Sequence, residues 1–247
     1  MKVEAIKTKK IKPGDNLFDI LFKSIKKLPE KSIVVITSKV VGICEGRIVS
    51  IDEEKKEELI KKEAYLYIPS SRNKYHIVLS IKNKSLVSSA GVDESNGGGY
   101  FVLWPKNPQK SANSIREMLS KKYKVKNLGV MITDSKSIPL RRGAVGTAIA
   151  HSGFSAVKNY IGKKDVFGRK FKVQKSNVLE NLAGASVAVM GEGSEQTPIA
   201  IISDIGFVKF KKGNPSQKEL SENYVKFEDD LFYELFNNKL WVKGKGL

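Results

Sequence analysis

The 247-residue sequence predicts an α+β fold of mixed sheets with flanking helices, and three observations carry that prediction. Short β-branched runs, Ser32 to Ile36 and Leu128 to Ile132, have strand length and read as buried strands. Before each of them lies an apolar stripe at helical spacing: Leu17, Leu21, Ile25 and Leu28 ahead of the first, and Ile115, Leu119 and Tyr123 ahead of the second. A hydrophobic fraction of 40% is enough for a real core and argues against wholesale disorder.

The first strand falls near Val3 to Ile6. Pro13-Gly14 turns the chain, and Asp15 or Asn16 caps the first helix. Ser32 to Ile36 follows, with Thr37-Ser38-Lys39 at its exit. A charged helix spans about Glu53 to Tyr65, where Glu57–Lys61 and Glu58–Lys62 have the four-residue spacing that lets them pair. Two short strands, near Ile77 to Ile81 and Leu86 to Ser89, lead into the polar segment Ala90 to Asn96 and the turn Gly97-Gly98-Gly99. Asn107-Pro108 starts a helix, with the proline suited to the first helical position. The strand Leu128 to Ile132 ends in Thr133-Asp134-Ser135. The second half is richer in Gly, Ala and Val; it holds a helix near Asn177 to Leu182. Ser186 to Met190 and Pro198 to Ile202 then read as two strands around a Gly-Glu-Gly-Ser-Glu turn. Past Lys211 the composition changes to Lys, Asn, Ser and acids. Residues 1–212 therefore read as a body, either one domain or two intertwined subdomains, and 213–247 as a C-terminal helical tail. Phe227, Leu231 and Leu235 place one amphipathic helix in that tail.

Composition excludes several chemistries. Cys44 is the only cysteine, which rules out an internal disulfide or a cysteine-built zinc cluster and suits a reducing cytoplasm. With only His76 and His151, a histidine-rich metal site is excluded as well. Any metal must rest mainly on oxygen ligands, which favours Mg²⁺ or Mn²⁺. No apolar run approaches the roughly 20 residues that span a bilayer, and the start of the chain lacks a secretory signal pattern, so a cytoplasmic protein without membrane partners is expected. The net charge of +18 could attract nucleic acid or concentrate anionic substrates. Most lysines sit in mixed-charge blocks, and no basic ribbon interleaved with aromatics is present. Solvated faces account for the charge better than nucleic-acid binding does.

Three segments share one layout in which an apolar run ends in a polar cluster. Val87 to Val92 runs into Asp93 and Asn96, Val130 to Ile132 into Asp134 and Ser135, and Val187 to Met190 into Glu192. The three acids could converge on divalent cations that bridge phosphate oxygens, with Ser135 or Asn96 completing the shell. Taken alone, each acid reads more readily as an ordinary turn residue than as a ligand. Thr37-Ser38-Lys39 offers a hydroxyl and an ammonium to phosphate, although no P-loop pattern exists in the chain. Arg141-Arg142 is either a bidentate clamp for carboxylate or phosphate or a surface pair. His151, in an Ala/Ile/Ser run, reads as a packing residue, and Cys44 as a small buried one.

Taken in order, several of these segments resemble one family. They are Pro13 to Leu17; Thr37 to Val41 with Glu45-Gly46-Arg47; Ala90-Gly91-Val92-Asp93-Glu94-Ser95-Asn96; Ser111-Ala112 and Ile115-Arg116-Glu117; Thr133-Asp134-Ser135; and Arg142-Gly143 through Ile149. Gly162, Asp165, Gly168-Arg169, Met190-Gly191-Glu192 and Glu228 to Phe232 continue the match. The colinear set is similar to the coenzyme F420:L-glutamate ligases, or F420-0 γ-glutamyl ligases. That resemblance implies the family's fold, a homodimer, and GTP or ATP bound with two Mg²⁺ or Mn²⁺ ions. It implies metal ligands Asp93, Asp134, Ser135 and Glu192, and nucleotide contacts from Ser38, Lys39, Asn96, Met190 and Gly191. Arg141 and Arg142 would face the substrates, L-glutamate and an acidic acceptor. The implied reaction phosphorylates the acceptor carboxylate, and the glutamate amine then attacks the acyl phosphate. No side-chain nucleophile is required. The sequence departs from the family pattern at Ile43 and from Lys136 to Arg141. A ligase acting on a folate or another acid, and a nucleotide-binding relative without ligase activity, stay open beside this reading.

Overall fold

The computed structural model describes residues 1–246. β1 (Lys2–Ile6) opens the chain and α1 (Leu17–Ser24) follows. β2 (Ser32–Thr37) runs directly into α2 (Ser38–Cys44), and β3 (Ile48–Ser50) and α3 (Lys56–Glu63) come next. Three short strands, β4 (Leu66–Ile68), β5 (Leu79–Lys82) and β6 (Ser85–Ser88), precede β7 (Tyr100–Val102). After α4 (Pro108–Tyr123) comes the long pair β8 (Leu128–Ser137) and β9 (Ala144–Ser152). A small arm, β10 (Val157–Asn159) and β11 (Lys175–Asn177), leads to α5 (Val178–Met190) and β12 (Ile199–Ser203). The chain closes with α6 (Gln217–Ser221), α7 (Tyr233–Phe236) and β13 (Val242–Lys243).

These elements make the expected α+β fold with mixed sheets. The main sheet has the order β1-β12-β2-β8-β9, with β2 and β8 parallel and every other pair antiparallel. Both of its faces are covered, which explains why β2 is an unbroken apolar run. Val34 and Ile36 point to one face, where α1 and α4 supply Leu21, Ile115 and Leu119. Ile33 and Val35 point to the other, where α5 supplies Leu179, Leu182 and Ala183. Full burial of each such side chain contributes about 1.5–3 kcal/mol, so both faces drive formation of the sheet. A second sheet, β13-β4-β5-β6, packs on α3 around Leu59, Ile60 and Ala64. No helix among the described residues is long and apolar enough to cross a membrane.

Asn16 caps α1 through its side chain, and Asn107 caps α4 with Pro108 in its first turn. Two expectations are corrected. Ser186 to Met190 is not a strand but the last part of α5. The stretch from Phe227 to Leu235 is not one helix; it holds a 3-10 turn (Phe227–Asp229) and the four-residue α7. The tail also returns to the body, since β13 pairs antiparallel with β4.

Candidate active site

β2 and β8 stay in parallel register as far as Thr37 and Thr133, so their carboxyl ends deliver Ser38-Lys39 and Asp134-Ser135 side by side. Loops past rigid strand ends are well placed to present ligating groups. The loop after β6 comes to the same end. Asp93 is pinned there by two backbone bonds with Val102, 3.0 Å and 2.7 Å long.

Lys39 Nζ lies 2.7 Å from Asp93 Oδ2 and donates to the Ser95 carbonyl at 2.6 Å and Ser95 Oγ at 3.0 Å. The Ser95 amide and hydroxyl in turn donate to Asp93, each at 2.9 Å. Burial pushes the Asp93 carboxyl up, but the Lys39 ammonium and the Ser95 donors outweigh it and hold it below its ordinary value. Asp134 follows a register shift at which Ile132 faces Ala150 and Thr133 faces Ala148, leaving Ile149 unpaired on β9. Such bulges re-aim the side chains next to them. Asp134 Oδ2 accepts a hydrogen bond from Trp104 Nε1. Burial pushes the Asp134 carboxyl up to about 6 against the pull of the Trp104 and Ser135 N–H donors, and the nearby Asp93 charge acts in the same sense as burial.

Ser135 Oγ is 2.8 Å from both carboxylate oxygens of Glu192, to which it donates. Asn96 Nδ2 donates to the Gly193 carbonyl at 3.0 Å, which ties the Asp93 loop to the Glu192 loop. Gly191 makes the turn out of α5 with φ at +84°, a conformation open to glycine. Lys39, Asp93, Asn96, Asp134, Ser135 and Glu192 therefore form one connected rim. Among the described residues no three Asp, Glu, His or Cys side chains stand close enough to chelate an ion. Asp93 has Lys39 as its cation, whereas no ammonium or guanidinium of the described residues forms an ion pair with Asp134.

Other expected site residues lie elsewhere. Arg141 and Arg142 are exposed beyond the end of β8, and Arg141 Nη1 donates only to the Leu140 carbonyl, at 3.0 Å. The Met190 side chain packs into the core under α5. Ser38 is buried at the start of α2, and His151 is buried in β9 as a packing residue.

Sequence reasoning does not single out the groups behind Asp134. Trp104 closes the apolar run Phe101-Val102-Leu103-Trp104 and reads as plain core. Its carbonyl accepts from Arg47 Nε at 3.0 Å, and its ring lies 5.1 Å from Lys82 Nζ. Lys82, buried in β5, bonds Glu63 at 2.6 Å and the Ala90 carbonyl at 3.1 Å, while Arg47 bonds the other Glu63 oxygen at 2.7 Å. Burial alone would raise the Glu63 carboxyl, but Lys82 and Arg47 hold it low; burial also lowers the Lys82 ammonium, with Glu63 opposing. The one local signal is a lysine closing the short strand Leu79-Ser80-Ile81-Lys82.

Residues 5–204 match the family described as F420-0:Gamma-glutamyl ligase. The coenzyme F420:L-glutamate ligase of Methanococcus maripaludis is 35% identical over 83% of this chain and 86% of its own length. The enzyme of that name from Methanosarcina mazei is 32% identical over 89% and 92%, and that from Methanopyrus kandleri 31% over 78% and 82%. The chain belongs to the F420-0:gamma-glutamyl ligase family. Its members are ligases, so the chain is an enzyme of that class. Every residue of the connected rim, and the Trp104 network behind it, lies inside the span that matches the F420-0:gamma-glutamyl ligases.

Proposed function

We propose that this enzyme joins L-glutamate to an acidic small molecule, coenzyme F420-0 or a similar acceptor, using GTP or ATP with Mg²⁺ or Mn²⁺. The observation that carries the reading is the rim itself: three acidic loops, a lysine and hydroxyl donors gathered at one sheet end within a ligase family. The chemistry of the donors suits a hard divalent cation, although no three acids close on one point among the described residues. The donors are all oxygen, and Asp134 is a desolvated carboxylate beside Asp93 without an ion pair of its own among the described residues. Asp93, Asp134, Ser135 and Glu192 would hold such ions, which supply charge neutralisation to the triphosphate when bound.

The chain's own groups have distinct parts in the reaction. Lys39 and Asn96 meet the phosphates, while the space before the Gly191 backbone is taken by the Glu195 carboxylate, which has to swing aside for a nucleotide to approach there. An oxygen of the acceptor carboxylate bonds the γ-phosphorus while the bridge to the β-phosphate breaks, and the nucleoside diphosphate leaves. The glutamate amine then attacks the acyl carbon, an amide forms, inorganic phosphate leaves, and the amine gives up one proton. Holding reactants in line is the enzyme's main contribution, since no protein nucleophile takes part.

Calorimetry of GTP and ATP with Mn²⁺, on wild type and Asp93→Ala, tests the site. The expected result is metal-dependent binding by wild type and at least a tenfold loss in the variant, the scale at which metal-site changes act. Unchanged binding in Asp93→Ala would remove Asp93 from the site. Incubation with glutamate and F420-0, or a folate, followed by mass measurement then identifies the acceptor by a glutamyl addition.

The same reading includes a homodimer, which two uncovered surfaces of opposite charge support. The arm from Lys158 to Lys175 carries seven lysines and arginines against the single Asp165, and exposes Val166, Phe167 and Val173. The stretch from Phe227 to Phe236 carries four acids and no cation, and exposes Leu231 and Leu235. Apolar residues set among complementary charges favour docking of one copy on another.

A further inference from the structure

We infer that Trp104 is a positioning residue that biases the site toward small divalent cations by occupying one oxygen of Asp134. The inference rests on the reading of Asp134 as a metal ligand. Trp104 is almost wholly buried, and its Nε1–H points at Asp134 Oδ2. An indole N–H can only donate, so it engages the carboxylate whether or not an ion is present.

The ring is held from three sides. Along its edge, Gly91 makes room: a Cβ there would lie 2.1 Å from Trp104 Nε1, and the glycine has φ at +69°. Behind its face stands the Lys82 ammonium, itself fixed by Glu63 and the Ala90 carbonyl. At its main chain, Arg47 holds the Trp104 carbonyl and the same Glu63. The buried Lys82 and its partly buried partners Glu63 and Arg47 resist movement, because displacing one leaves another unpaired. Glu63, Lys82 and Arg47 thus form a scaffold whose readout is the direction of one N–H bond.

With Oδ2 engaged, Asp134 offers an ion its other oxygen. Mg²⁺, with its strict octahedral shell, suits a carboxylate that binds through a single oxygen; the larger Ca²⁺ readily takes both oxygens of one carboxylate. Trp104 therefore favours Mg²⁺ or Mn²⁺ over Ca²⁺. Replacing it by phenylalanine keeps an aromatic ring in the pocket and deletes the donor along with part of the ring's volume, which frees Asp134 to turn and bind through two oxygens.

The test measures Mn²⁺ alone, by calorimetry and by its electron paramagnetic resonance, with Ca²⁺ as competitor. Wild type, Trp104→Phe, Asp134→Asn and the double variant are compared, with near-ultraviolet circular dichroism to check packing. Wild type is expected to prefer Mn²⁺, and Trp104→Phe to lose about tenfold of that preference, the lower end of effects from groups that orient metal ligands. In the Asp134→Asn background the same change is expected to have no further effect. A Mn²⁺/Ca²⁺ ratio unchanged in well-packed Trp104→Phe overturns the inference while leaving the metal site standing. Absence of Mn²⁺ binding in wild type, or no effect of Asp134→Asn, overturns the metal reading and the inference with it. If Trp104→Phe does not fold, Lys82→Met loosens the ring's seat without touching the indole. It is expected to shift the ratio the same way, and an unchanged ratio there overturns the inference as well.

Discussion

His151 is 3% exposed on β9, with the Phe154 ring edge-on at 5.3 Å. Burial lowers its pKa to about 4, with Glu219 acting weakly in the opposite sense. The folded state therefore keeps His151 neutral at pH values where the unfolded chain, titrating near 6.5, binds a proton. The resulting stabilisation is complete above pH 6.5 and is lost as the pH falls from there through 4. A shift of this size corresponds to roughly 3 kcal/mol. Melting temperatures measured from pH 7 to pH 4 should fall, and His151→Leu should flatten that part of the profile. At this scale the acids were legible, because an Asp or Glu after an apolar run is visible in one dimension. Trp104 and Lys82 were not: a tryptophan in an apolar run and one more lysine among many take their meaning from Asp134 and Glu63, distant in sequence.

Among the elements, α4 shows how far local chemistry reaches. Asn107 Oδ1 accepts the Lys110 amide at 2.9 Å, and Pro108 follows it in the first turn. Both signals lie within four residues, so the start of the helix could be read directly. Asn107→Ala is expected to destabilise the protein by about 1 kcal/mol, measured by denaturant titration, with the denaturant slope unchanged. The end of α5 shows the opposite case. Ser186 to Met190 is a short apolar run with two valines, which as a string is as much strand as helix. The helix prevails because its face packs on the sheet, and Gly146 of β9 lets it approach: a Cβ there would lie 2.5 Å from the Ala183 carbonyl and from Val187. No pattern within the run itself records that contact.

At the level of the whole molecule, charge is distributed rather than uniform. In a chain of net charge +18, the acidic stretch 227–236 stands opposite in sign to the arm between β10 and β11. If the arm docks on a second copy, Lys163→Glu with Lys164→Glu should weaken the dimer by tenfold or more, and raising the salt concentration should do the same in wild type. Sedimentation at several protein concentrations reads both effects. A dimer unaffected by charge reversal would place the contact elsewhere. The fold class was legible at this scale from strand-length runs alternating with helical stripes. The pairing of β13 with β4 was not, because residues 242–243 carry no pattern of their own and strand partners are chosen by sheet edges left open elsewhere.

The sequence by itself determined the family, the α+β class, the starts of α1 and α4, and the acids Asp93, Asp134 and Glu192 as candidates. These are carried by neighbouring residues or by motifs in colinear order, and so survive in a one-dimensional record. Only the tertiary structure decided that the acids share a rim, that Lys39 serves Asp93, and that a largely desolvated Glu63–Lys82–Arg47 network, with Lys82 buried, stands behind Trp104 and Asp134. The reason is physical: a desolvated charge is tolerated only where its partner is placed in space, and partners such as Glu63 and Lys82 come from separate elements whose meeting is set by packing.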